Sequence, residues 1–78
     1  MKAVVTVVGK DKVGILAKVS SVCAKENANV VEVTQSVLSE YFAMVMLIDI
    51  QDIKVELSTL KEEISKELPE TTDRKSVV

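Results

Sequence analysis

The stretch Lys2-Ala3-Val4-Val5-Thr6-Val7-Val8-Gly9-Lys10-Asp11-Lys12-Val13-Gly14-Ile15-Leu16 decides the fold, because the hydrophobic period changes within it. Residues 2–8 are valine-rich and end at Gly9, which predicts a buried first strand. Beyond Gly14, the apolar residues Ile15, Leu16, Val19, Val22 and Cys23 recur at spacings of three and four. They share one helical stripe, opposite Lys18, Ser21 and Lys25. A helix is expected over roughly 13–26, with Asp11 or Lys12 starting the turn into it and Asn27-Ala28-Asn29 stopping it. A glycine-bearing turn that opens a helix exposes backbone N–H groups without partners inside the helix. Such groups can hold the carboxylate of a small ligand without any catalytic side chain.

Further along, Val30 to Leu38 is β-branched, with Val31, Val33 and Val37 expected on one face and Glu32, Thr34 and Ser36 on the other. Ser39-Glu40 is the expected turn, although it lacks the glycine or asparagine that tight hairpins prefer. Tyr41 to Ile50 then alternates with Phe42, Met44, Met46, Ile48 and Ile50 on one face, so a hairpin is predicted from 30 to 50. Asp52 reads as the N-cap of a second helix carrying Ile53, Leu57, Leu60, Ile64 and Leu68, which Pro69 ends. Lys61, Glu62, Glu63 and Lys66 form its solvated face.

The order strand, helix, strand, strand, helix predicts an α+β, ferredoxin-like βαββα(β) sandwich, with both helices on one face of an antiparallel sheet. The fourth strand is the open question. Residues 1–69 read as the domain and 70–78 as a polar tail, of which only Ser76-Val77-Val78 offers a short or incomplete strand. An uncovered first strand would be a long apolar edge. Either the tail pairs poorly, or a partner covers the edge, or the chain is a shortened or altered form of a longer one.

Composition removes several functions. The chain has 78 residues, 47% of them apolar, which suits one small globular domain. A net charge of -2 argues against a nucleic-acid partner. Histidine is absent, which removes the commonest general base and metal ligand. Cys23 is the only cysteine, so neither an internal disulfide nor a paired-thiolate site can form, and a reducing cytoplasmic setting fits. The apolar run at residues 2–8 is much shorter than a membrane span and lacks the cleavage region of a signal peptide.

The motifs narrow the choice further. Gly9 and Gly14 are separated by four residues as in a phosphate-binding P-loop, but Ile15 and Leu16 replace the Lys-Ser/Thr pair that must follow. A metal-transfer domain would need paired cysteines in the loop from Gly9 to Leu16, and none is there. An RNA-recognition domain would need stacking aromatics on its central strands, whereas Tyr41 and Phe42 are the only aromatics. Cys23 sits on the apolar stripe with no basic group beside it and reads as an inert core thiol. The segment from Gly9 to Leu16 is thus either a plain surface turn or a ligand-facing edge in which Gly14 lets a ligand or second chain approach the backbone. Asp11 could accept from an ammonium group or cap the helix.

The strand–Gly9-Lys10-Asp11-Lys12-Val13-Gly14-Ile15-Leu16–helix element, with Asn27-Ala28-Asn29-Val30, Gln35-Ser36-Val37 and Phe42-Ala43-Met44-Val45-Met46, resembles an ACT domain. More narrowly, it resembles the short stand-alone ACT proteins of bacteria and archaea, over about residues 1–68. The resemblance implies a regulatory, non-catalytic module that senses amino acids or other small ligands without a cofactor or metal. It also implies a homodimer in which second strands and first helices meet, with ligand near the interface. Carried onto this chain, Asp11, Val13, Gly14 and Ile15 would form the loop side of the site, and Asn29 and Val30 would face it from the start of the second strand. The departure is at the C-terminus, where residues 70–78 lack the apolar alternation of an ACT fourth strand. A ligand-independent assembly domain, joining itself or a partner enzyme, is the alternative expectation. Catalysis is not expected, since no nucleophile–base pair or metal set is visible.

Overall fold

A computed structural model describes residues 1–10, 14–68 and 72–78. The elements run β1 (Lys2–Gly9), α1 (Ile15–Lys25), β2 (Asn29–Leu38), β3 (Tyr41–Asp49), α2 (Leu57–Glu67) and β4 (Thr72–Val77). The strands form one antiparallel sheet in the order β2-β3-β1-β4. This is the ferredoxin-like arrangement that the order strand, helix, strand, strand, helix predicts.

Alternation decides which face is buried. Ala3, Val5 and Val7 of β1 and Phe42, Met44, Met46 and Ile48 of β3 point to the helices and are nearly inaccessible. Against them pack Ile15, Val19, Val22 and Cys23 of α1 and Leu60 and Ile64 of α2. Each large aliphatic side chain buried in this layer contributes about 1.5–3 kcal/mol relative to exposure. Among the described residues no helix covers the opposite face of the sheet.

Helix α1 ends as the asparagine-rich stop predicts. Asn27 adopts φ 64° just past the helix; its N–H donates to the Ala24 carbonyl at 3.3 Å, and the Ala28 N–H donates to the Cys23 carbonyl at 2.8 Å. That pair of bonds is a Schellman stop with asparagine in the left-handed position. Helix α2 starts later than expected. Its N-cap is Glu56 and not Asp52, because the preceding loop is tied elsewhere. The Lys54 N–H donates to the Glu26 carbonyl at 2.9 Å and Asn27 Nδ2 donates to the Asp52 carbonyl at 3.0 Å. Ile53 and Val55 of that loop pack against the core without being helical. At the far end Leu68 turns extended, φ -84° and ψ 147°, as a residue before proline should; Pro69 itself lies outside the described residues.

The hairpin also departs from simple alternation. The register advances from Val30↔Ile48 to Glu32↔Leu47, so Val31 is an extra residue without a partner on β3. Val31 and Val37, expected on a buried face with Val33, are 43% and 57% exposed. Ser39 and Glu40 close the hairpin, and Ser39 takes φ 58°, the left-handed backbone that a two-residue turn imposes even without glycine.

The polar tail joins the sheet. β4 spans six residues and pairs antiparallel with β1 from Val5↔Val77 to Gly9↔Thr72, taking in Ser76 and Val77, which the sequence offered, and starting four residues earlier. Backbone bonds continue to Val4, which exchanges N–H and carbonyl with Val78 at 2.7 and 3.0 Å. Apolar alternation is dispensable here because an edge strand is held by its ladder, and charged composition discourages further pairing. Val77 supplies one buried side chain.

Candidate functional site

Helix α1 opens at Gly14, the first residue described after Lys10. Gly14 is the N-cap, exposed, with φ 77° and ψ 0°, and no side chain caps it among the described residues. Its carbonyl accepts the first helical bond, from the Lys18 N–H at 2.9 Å. The N–H groups of Ile15, Leu16 and Ala17 precede that first bond and have no acceptor within the helix. The positive end of the helix dipole favours a negative group at this point by about 0.3–1 kcal/mol.

The structure divides the predicted site residues. Asp11 and Val13 lie outside the described residues, as does Lys12. Ile15 is 1% exposed, so its side chain serves the core and only its backbone can face a ligand. Asn29 is exposed and opens β2 opposite Asp49, while Val30 pairs with Ile48 and packs against the core. Register places Asn29 beside Lys2 and Asp49, at the opposite end of the sheet from Gly9. From the Asp49 rung to the Phe42 rung is roughly 23 Å at the strand rise. One chain therefore does not bring Asn29 and Gly14 together.

Two cations at the Gly14 end escaped the sequence reading. Lys18 Cε lies 3.9 Å from where a Cβ on Gly14 would stand, which draws that lysine over the turn. Lys10 Nζ sits 5.8 Å from the centre of the Tyr41 ring at the same end of the sheet. The spacing of Lys18 to Gly14, one helical turn, was the signal that could have found it.

Other chemistry is sparse. Burial pushes the Cys23 thiol above its usual range, which suits an inert core residue. No group of three or more His, Cys, Asp or Glu side chains able to hold a metal occurs among the described residues. No helix among them is long and apolar enough to cross a membrane.

A four-stranded antiparallel sheet with two helices on one face defines a ferredoxin-like module. The ACT domain family model matches residues 2–77, and the chain belongs to that family. It is 45% identical over 65 residues to a UPF0237 protein of Methanocaldococcus jannaschii, an alignment covering 83% of this chain and 72% of that one. It is similar to the solved ACT domain protein from Streptococcus pneumoniae, with TM-score 0.79 and 36% identity, covering 100% of this chain and 88% of that one. The regulatory subunit of aspartate kinase from Thermus thermophilus shares the fold, with TM-score 0.69 at 21% identity, over 99% of this chain and 50% of that one. ACT domains are commonly regulatory, ligand-binding modules and not catalysts.

Proposed function

We propose that the chain is a non-catalytic sensor that binds a small molecule, an amino acid in the first instance, at an interface between two copies of itself. The observation that carries this reading is Gly14, exposed at φ 77° and opening α1 with no side-chain cap among the described residues. A ligand carboxylate would sit against the first-turn N–H groups, with Lys18 adding positive charge beside it.

A second copy accounts for the distant half of the site. β2 is an edge strand, and α1 lies on its side of the sheet, while α2 lies toward β4. Pairing β2 with its copy about a two-fold axis runs the strands antiparallel, so the partner subunit's Asn29 meets the Val37–Leu38 end of β2. That is the end nearest Gly14. The ligand ammonium would then reach Asp11 of one chain or the partner subunit's Asn29. The regulatory role named for the aspartate kinase neighbour is in keeping with such a module. A single buried thiol suits a reducing, cytoplasmic setting.

The same open edge, with Val31 and Val37 exposed, would equally serve an assembly domain that needs no ligand. Thermal unfolding against the standard amino acids, at two protein concentrations, separates the two. A saturable rise in Tm with one or a few amino acids supports the sensor; about 2.7 kcal/mol is expected at a hundredfold excess over Kd. A Tm that climbs with protein concentration and ignores every amino acid supports assembly. A Tm that responds to neither refutes both.

A further inference from the structure

Two polar stripes meet across the solvent side of the helix layer. Spacings of three and four place Lys18, Ser21, Val22 and Lys25 along one side of α1, and Glu63, Lys66 and Glu67 along one side of α2. Together with Ala17 they line a cleft of about 460 Å³ that is open to solvent and falls within the size range of small-molecule sites. Val22, buried against the core, forms its base. Ala17 and Ser21 are short side chains one helical turn apart, and they leave the room that the longer lysines border. All of the lining comes from one chain, so the cleft needs no second copy.

The charges in the cleft are unevenly matched. Lys25 Nζ lies 3.3 Å from Glu63 Oε2 and 4.0 Å from Glu26 Oε2, so that lysine is already held. Among the described residues Lys18, Lys66 and Glu67 make no ion pair, and Lys66 adds only a longer-range pull on Glu63. Three lysines stand against two glutamates in the lining, and the ammonium groups of Lys18 and Lys66 remain for a partner from outside. A lysine ammonium is a compact charge with three donors, suited to carboxylate or phosphate oxygens. Ser21, between Lys18 and Lys25 on the α1 wall, adds a hydroxyl donor.

We propose that this α1–α2 cleft binds a small organic dianion, held by Lys18 from one helix and Lys66 from the other, with the Ser21 hydroxyl donating to it. Two ammonium groups balance two negative charges, and Glu67 on the same lining repels a third. A phosphate monoester or a short dicarboxylate therefore fits, and a polyphosphate does not. An open cleft keeps these charges in contact with water, so binding weakens as salt screens them. The cleft stands whether or not the Gly14 turn holds an amino acid.

NMR titration of the isotope-labelled chain with glycerol phosphate and with succinate tests this, at constant ionic strength and about pH 7.5, where both probes are dianions. Saturable amide shifts at Lys18, Ser21, Lys66 and Glu67 are expected with at least one probe, and the tighter probe identifies the head group. Lys66→Met keeps the stem, removes the charge and should weaken binding about tenfold, the loss of one charge-assisted contact. Lys61→Met removes the same charge from α2 outside the cleft and should weaken it by less than about twofold. Both lysines are exposed, so both variants keep the fold. No saturable shift with either probe overturns the proposal, as does a Lys61→Met loss equal to that of Lys66→Met. Shifts centred on Gly14 with Ser21 and Lys66 unmoved also overturn it and assign the anion to the turn. A dianion that binds the cleft while every amino acid fails to bind refutes the interface sensor and supports the cleft.

Discussion

Side chains placed at Gly14 test the turn on which the ligand reading rests. A Cβ there would meet nothing nearer than Lys18 Cε at 3.9 Å, an ordinary contact with a flexible side chain. The cost of a substitution is therefore backbone strain at φ 77° and not a clash. An L-residue in the left-handed region pays about 1–2 kcal/mol. Alanine also stiffens the unfolded chain, which returns about 0.4–1 kcal/mol. The net loss expected for Gly14→Ala is about 1 kcal/mol, or about 4–8 °C in Tm for a domain of this size. Asparagine tolerates this backbone and should lose less; β-branched valine should lose more. Urea and thermal unfolding of the three variants measure the order directly. A Gly14→Ala protein as stable as the parent, or a valine variant as stable as the asparagine one, would refute the strained turn. Gly14→Asn, folded, should lose amino-acid affinity in calorimetric titration, because its side chain fills the approach to the first-turn N–H groups. Full affinity in that folded variant would sink the loop assignment.

The remaining predictions use other parts of the fold. Ser39 sits at φ 58° in the hairpin turn, so Ser39→Gly should gain about 0.5–1 kcal/mol in urea unfolding, strain relief exceeding the entropy that glycine adds; a loss would contradict the turn geometry. Leu60 is 0% exposed, and Leu60→Ala should cost about 2–5 kcal/mol. That approaches the whole stability of a chain this short, about 4–12 kcal/mol, and a midpoint shift under about 1 kcal/mol would displace Leu60 from the core. Val37 is 57% exposed on the open edge, so Val37→Lys should change unfolding by no more than about 0.5 kcal/mol. It should abolish self-association in sedimentation equilibrium; association that persists would move the interface off β2.

The sequence made the fold legible wherever period carried the information. Valines at strand spacing in residues 2–8 and the three-and-four spacing from Ile15 to Cys23 fix the first strand and helix without tertiary help. The misreadings are places where distant partners decide. Asp52 looks like an N-cap in isolation, but its carbonyl is claimed by Asn27 and its neighbour loop by Glu26, and both donors and acceptors lie far away in sequence. Val31 breaks alternation because of a bulge that no local pattern announces. β4 is held by the β1 ladder, so its polar residues gave no period to read. For the site, glycine marked the special backbone at position 14, but only register shows that Asn29 stands at the other end of the sheet.

The strand order has a consequence for synthesis. β1, from residues 2–9, lies between β3 and a strand made from residues 72–77. During synthesis β1 therefore precedes by dozens of residues the strand that becomes its second neighbour. At about 5–20 residues per second, that interval lasts seconds, far longer than helix or hairpin formation. For that time the edge of the valine-rich strand that β4 will cover stays unpaired, even once β3 is in place.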